Sequence, residues 1–178
     1  MKKAFTMIEL VFVIVVIGIL AAVMIPRTDS TTLSERAIEL VSKIRYTQHL
    51  AMVDDKFDGA NATWMRNRWQ ITFNGNQYSI VSDNDTTFAA NPINDGNVIQ
   101  NIELRGVTVA LSGGCNGQTD ISFDSLGRPM TGDISDDTAA YTSAQLLTST
   151  CVITLNDGTD DLPIHIRPET GYASIIYP

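Results

Sequence analysis

The chain has 178 residues, which is enough for one modest globular domain and an appendage. It carries 12 basic and 20 acidic side chains, so its formal net charge is -8. Lys2, Lys3 and Glu9 lie in the first ten residues, and the remainder carries about -9. Because an acidic domain repels phosphate backbones, the composition argues against generic nucleic-acid binding.

An apolar segment over residues 5–25 opens the chain, and Glu9 is the one charge within it. As a helix this segment would extend ~31 Å, close to the hydrocarbon thickness of a bilayer. Lys2 and Lys3 precede it and favour a cytoplasmic N-terminus. We therefore expect a transmembrane helix over 5–25, with the rest of the chain on the outer side of the membrane.

Two other interpretations of this segment stay open. A cleaved secretory signal peptide could be cut near Ala21 and Ala22, but Leu20 is a poor residue at the third position before that cut. An uncleaved anchor leaves Glu9 unexplained, because a carboxylate in lipid costs up to ~3 kcal/mol at the membrane centre.

Residues 2–9, with the sequence KKAFTMIE, resemble the class III signal of type IV pilins and type II secretion pseudopilins. In that family a prepilin peptidase removes a short basic leader after a small residue, and the new N-terminal Phe is N-methylated. The resemblance implies a leader of residues 1–4, a cut between Ala4 and Phe5, and an N-methylphenylalanine at Phe5. The family more often has Gly before the cut, and Ala is an accepted variant.

Cleavage would create a positive amine at Phe5, one helical turn from Glu9. The Glu9 carboxylate can face that amine in its own chain or in a neighbouring subunit. A buried charge that gains its partner only on assembly specifies axial register, because a slipped register leaves it unpaired. The resemblance implies this inter-subunit role for Glu9.

We predict one long helix over residues 5–53, kinked in the region of Gly18 and Pro26. Pro26 removes a backbone donor and clashes with the preceding turn, and Gly18 lowers helix propensity. Residues 26–56 should form an amphipathic continuation that packs on a domain. Its apolar face recurs at three- and four-residue steps: Leu33, Ala37, Leu40, Val41, Ile44, Gln48, Ala51 and Met52.

Residues 57–178 have the alternation and turn signals of short strands and predict a β-rich domain. The clearest signal is a hairpin, with strands over 69–73 and 77–81 around Gly75. The expected fold class is α+β, the pilin fold: a long kinked N-terminal helix, half membrane-spanning and half amphipathic, packed on an antiparallel sheet. Segments 69–73, 121–129 and 164–171 resemble the H-type minor pseudopilins.

The chain has two cysteines, Cys115 and Cys151. Two cysteines are usually free thiols in a cytosolic protein and usually pair in an exported one. With the β-rich domain placed outside the membrane, we expect a disulfide between them. Two buried free thiols are the alternative.

Three acidic clusters are the closest approach to a metal site. They are Asp83 with Asp85, Asp133 with Asp136 and Asp137, and Asp157 with Asp160 and Asp161. Calcium binds oxygen-rich loops, but none of these has the EF-hand spacing, so we predict solvated loops and no metal, with calcium as the weaker alternative. His49 and His165 are far apart in sequence, and no nucleophile, phosphate-binding or dinucleotide motif is present. The sequence therefore predicts no cofactor and no enzyme.

A small basic and aromatic patch comprises Trp64, Arg66, Arg68 and Trp69. Such a patch could contact nucleic acid or a partner. We instead expect Trp69 in the core and the arginines on the surface.

The sequence thus predicts a structural subunit, of the minor type, of a type II secretion pseudopilus or a type IV pilus. The expected partners are prepilin peptidase, other pilin or pseudopilin subunits, an inner-membrane assembly platform and, before assembly, membrane lipid. The expected location is the bacterial inner membrane, single-pass, with a periplasmic C-terminal domain that joins a periplasmic or cell-surface filament. The alternative is a pilus-tip module that binds DNA or a surface ligand.

Overall fold

The computed structural model of the protein describes residues 6–24, 28–93, 96–132 and 145–177. Two helices come first: α1, Met7–Met24, and α2, Thr28–Val53. A short 3-10 helix, Trp64–Asn67, leads into the strands. The ten strands are β1 Gln70–Asn74, β2 Gln77–Ser82, β3 Thr87–Phe88, β4 Ile102–Glu103, β5 Thr108–Gly113, β6 Asp120–Phe123, β7 Pro129–Thr131, β8 Cys151–Asn156, β9 Asp161–Ile166 and β10 Ala173–Ile175.

The prediction of one long kinked helix over 5–53 is wrong, because the structure has two helices in this part of the chain. Residues 25–27, which include the predicted kink at Pro26, lie outside the described residues. The sequence pattern suggested a continuous helix because apolar periodicity resumes soon after residue 28. Periodicity reports which face is apolar, and it does not report whether two helical segments are joined.

In the described part of the chain, no helix is both long enough and apolar enough to cross a membrane. This finding contradicts the predicted transmembrane helix over 5–25 and the predicted single-pass placement in the inner membrane. The sequence estimate counted 21 residues. The described helix α1 has 18 residues, at the short end of the ~17–25 residues that span a bilayer.

The strands form two antiparallel sheets rather than the single sheet expected. The first has the order β3-β2-β1-β6-β7, with β4 also paired to β2. The second has the order β10-β9-β8-β5. The predicted hairpin is confirmed, because β1 and β2 pair with Asn74 opposite Gln77. The fold is therefore mixed α/β with two sheets.

Helix α2 packs against strands of both sheets, with its main contacts on β1, β6, β8, β9 and β10. Its buried apolar side chains are Leu33, Ala37, Leu40, Val41, Ile44 and Ala51, which confirms most of the predicted apolar face. Alternate residues of β8 and β9 face the same core, as the two-residue period of a strand requires. The result is one core in which α2 joins the two sheets.

Candidate functional site: an exposed apolar helix

Helix α1 presents its apolar side chains to solvent. From residue 6 to residue 20 every side chain except Val16 is exposed, and Val16 is half-buried. Eleven of these are large apolar side chains, ranging from 43% exposed at Val13 to 87% at Met7. Apolar residues occupy all sides of the helix rather than one stripe. A helix of this kind is normally surrounded by apolar neighbours, which α1 lacks within the described part of this single copy.

Glu9 is the one charged residue in this stretch of α1 and is exposed. It lies in the first turn, where the backbone N–H groups of Glu9 and Leu10 both donate to the carbonyl of Thr6, at 3.1 and 3.3 Å. A carboxylate at this end of a helix is favoured by the helix dipole. The predicted cleavage residues Ala4 and Phe5, including the amine proposed as the partner of Glu9, lie outside the described residues.

Gly18 lies inside α1, and the helix continues through this residue. A Cβ built at Gly18 would meet no described atom within 4 Å. Packing within one copy therefore does not require glycine here. The role predicted for Gly18 as part of a kink stays a prediction, since its other half, Pro26, is not described.

Cys115 and Cys151 form a disulfide, as predicted, and both are fully buried. Their Cα atoms are 4.9 Å apart. Cys115 follows β5 and Cys151 begins β8, so the bond fastens the end where these neighbouring strands meet. On the chain-entropy estimate, a closed loop of 36 residue steps stabilises the fold by about 4 kcal/mol.

The acidic clusters do not converge on a cation site in the described residues, where no group of three metal-ligating side chains occurs. Asp157 instead accepts hydrogen bonds from the backbone N–H groups of Asp160 and Thr159, at 2.8 and 2.9 Å, and from the Thr159 hydroxyl. These bonds hold the pKa of Asp157 below its usual value. Asp133, Asp136 and Asp137 are not described, and the expectation of no cofactor stays a prediction.

Arg68 corrects the prediction that the arginines of the basic and aromatic patch lie on the surface. It is only 3% exposed. Its guanidinium donates to the Met65 carbonyl at 3.1 Å and to Gln145 Oε1 at 3.3 Å, and it contacts the Met130 sulfur. The positive charge is thus directed into the fold, which removes it from any surface that could meet a phosphate. Trp69 is buried as expected.

Lys56 forms a cluster that the sequence did not reveal. Its Nζ lies 2.8 Å from Asp54 Oδ2, 3.4 Å from Asp83 Oδ1 and 5.6 Å from the centre of the Trp69 ring. Trp69 Nε1 donates to the same Asp54 oxygen at 3.0 Å. The hydrogen bond from Lys56 is the main cause that lowers the pKa of Asp54. The cluster fastens the end of α2 to the β1 and β2 region.

No protein-family profile matches the sequence, and neither a curated protein nor a solved structure matches it.

Proposed function

We propose that the protein is a structural subunit of a filament, a type II secretion pseudopilus or a type IV pilus, joined to its neighbours through α1. The observation that carries the proposal is the exposure of α1. Its apolar side chains extend all around the helix, and no described residue covers them. The finer assignment to a minor subunit rests only on the resemblance of segments in the β-rich part of the chain.

The apolar surface of α1 is large enough to offset the cost of association. Fully burying one side chain of this size contributes about 1.5–3 kcal/mol. The eleven large apolar side chains are about half to nine-tenths exposed, so covering them contributes on the order of 10 kcal/mol. That amount is comparable with the ~4–15 kcal/mol that association costs in lost freedom. Covering α1 from several sides, as in a bundle of subunits, is therefore the arrangement that offsets the cost.

Glu9 sets a condition on that assembly. When neighbouring copies surround α1, the Glu9 carboxylate loses its water and needs a positively charged partner. In a chain cut between Ala4 and Phe5, the new amine belongs to the residue four positions before Glu9, both in its own chain and in each neighbouring copy. A register that pairs these groups is favoured over registers that leave the carboxylate unpaired. Glu9 therefore selects the axial register between neighbouring copies.

The processing step can be tested directly by mass spectrometry. Co-production with a prepilin peptidase should remove residues 1–4 and add one methyl group to Phe5. The control is the Phe5→Ala variant, in which the N-methylphenylalanine cannot form. A wild-type chain that keeps Met1–Ala4 in the presence of an active peptidase would contradict the proposal.

The assembly step can be tested by comparing two carboxylates. Glu9→Gln removes the charge in α1, whereas Glu35→Gln removes an exposed charge on α2. We expect Glu9→Gln to reduce filament yield in sedimentation and electron microscopy by at least about tenfold, which corresponds to ~1.4 kcal/mol. Glu35→Gln should assemble like the wild type. Equal yields from the two variants would refute the register role of Glu9.

The partners that follow from this proposal are the peptidase, other pilin or pseudopilin subunits and the assembly platform that adds them. The inward direction of Arg68 and the acidic composition do not favour the alternative of a DNA-binding tip module. The absence of enzymatic activity stays a prediction.

A further inference from the structure

Strand β5 forms the open edge of the second sheet. Among the described residues, β5 pairs only with β8, in an unbroken register from Thr108 opposite Asn156 to Gly113 opposite Cys151. An edge strand presents a row of unpaired backbone N–H and C=O groups to any strand that can approach it. The six residues of β5 make this the longest edge in the described sheets.

Hydrogen-bond alternation identifies the groups that face outward. At the turn between β8 and β9, the N–H of Asp157 donates to the carbonyl of Asp160, so odd-numbered residues of β8 bond to β9. Even-numbered residues of β8 therefore bond to β5. The hydrogen bond from Gly114 N–H to the carbonyl of Thr150, at 2.9 Å, follows the same even-numbered pattern. In β5 this leaves the N–H and C=O groups of Val109 and Leu111 directed to the open edge.

The other edges in the described part of the chain are covered or short. At β10, the Arg45 guanidinium donates to the outward carbonyl of Ala173 at 2.8 Å. At β7, the N–H of Leu147 donates to the Pro129 carbonyl at 2.9 Å. Strands β3 and β4 have two residues each.

The β5 edge also lacks the features that normally discourage pairing. Natural edges often carry lysines, other charges or prolines. Residues 106–119 contain no charged residue and no proline, although the chain has 32 charged side chains. Thr108, Ala110 and Ser112 form a small, uncharged, exposed outer row, while Val109 and Leu111 are half-buried against the core. Two copies of this edge would meet without the repulsion expected elsewhere on a chain of net charge -8.

We propose that β5 pairs antiparallel with β5 of a second copy, which joins the two four-stranded sheets into one. The register places Val109 opposite the partner's Leu111 and Ala110 opposite the partner's Ala110. This register uses both outward N–H groups and both outward C=O groups of each copy in four backbone hydrogen bonds. Registers centred on Val109 or Leu111 would need Val107 or Gly113. The Val107 N–H already donates to Leu104, and the Gly113 carbonyl already accepts from Asn116.

The register predicts which single cysteine can cross-link two copies. Ala110 and the partner's Ala110 form a non-hydrogen-bonded pair, with Cα atoms about 4.5 Å apart, within the range of a disulfide. Ser112 and the partner's Ser112 are four residues out of register, about 14 Å apart along the strands. The full chain with Ala110→Cys should therefore form a covalent dimer on mild oxidation, at a yield at least about fivefold above that of Ser112→Cys.

Two controls separate this contact from association through α1. Thr154→Cys places a thiol on the same face of the same sheet but on β8, and it should stay monomeric on a non-reducing gel. The double variant Thr108→Cys with Ser112→Cys restores facing thiols and should cross-link again. Equal dimer yields from Ala110→Cys and either single control, a monomeric Ala110→Cys, or a double variant that fails to cross-link would each overturn the proposed pairing. The proposal does not depend on the filament function.

Discussion

Gly171 should be among the least replaceable residues of the fold, and Gly75 provides its control. Both have a left-handed backbone, with φ of +64° at Gly171 and +61° at Gly75, so alanine at either position costs about 1 kcal/mol in backbone strain. A Cβ at Gly75 would meet no described atom within 4 Å. A Cβ at Gly171 would lie 2.5 Å from Gln48 Nε2 and 2.5 Å from the Gly127 carbonyl oxygen. The two substitutions therefore differ in crowding alone.

The crowding at Gly171 has an energetic consequence that can be estimated. Gln48 Nε2 donates to the Gly127 carbonyl at 2.8 Å and to the Thr170 carbonyl at 2.9 Å, which ties α2 to two turns. Displacing this amide would lose both bonds, at about 1 kcal/mol each. Gly171→Ala should then cost at least about 3 kcal/mol, since the Gly127 carbonyl must also shift, and Gly75→Ala about 1 kcal/mol.

Urea unfolding followed by circular dichroism measures this difference. With a slope near 2 kcal/mol per molar, the midpoint of Gly171→Ala should lie at least about 1 M below that of Gly75→Ala, with unchanged slope. A third variant, Gln48→Ala, should reduce the additional cost of Gly171→Ala because the crowded side chain is gone. Midpoints that agree within experimental error for the two glycine variants would refute the crowding argument for Gly171.

Three further outcomes follow from the described contacts. Replacing both Cys115 and Cys151 with Ala should lower the unfolding free energy by about 4 kcal/mol, measured in urea, and a loss below 1 kcal/mol would contradict the loop-closure argument. Asp54 has a lowered pKa, so its contribution to stability is present above its ordinary pKa of 3.8 and is lost as pH falls through the lower folded value. Lys56→Met should therefore flatten the acid side of a plot of melting temperature against pH. The stability involved is a few tenths of a kcal/mol, because Asp54 is half-exposed. An unchanged plot would reject this coupling. Tyr78 donates to Glu39 Oε1 at 3.2 Å, and burial raises its pKa. Ultraviolet titration should find a late-ionising phenol that disappears in Tyr78→Phe, a variant that costs about 1 kcal/mol.

Local patterns in the sequence predicted the elements whose causes are local. The hairpin of β1 and β2 follows from two alternating segments around Gly75, and the buried face of α2 follows from three- and four-residue spacing. The disulfide followed from the expected location of the domain. That location depended on a membrane helix which the structure contradicts, so the pairing was correct although its premise was not supported.

Long-range features could not be read from the sequence. Nothing near Arg68 signals that its charge will be buried, because Met130 and Gln145 lie more than 60 residues away. The separation of the strands into two sheets depends on where the chain changes sheet, which it does between β4 and β5, between β5 and β6, and between β7 and β8. The contact between Gln48 and Thr170 spans 122 residues. In each case the decisive partner is set by topology.

The Cys115–Cys151 disulfide has a further consequence for a chain that meets proteases. The loop it closes leaves the second sheet after β5, contributes β6 and β7 to the first sheet, and returns as β8. A single proteolytic cut between the two cysteines therefore leaves both fragments covalently attached, with each sheet keeping its strands. A nicked chain would therefore migrate as two pieces on a denaturing gel only after reduction.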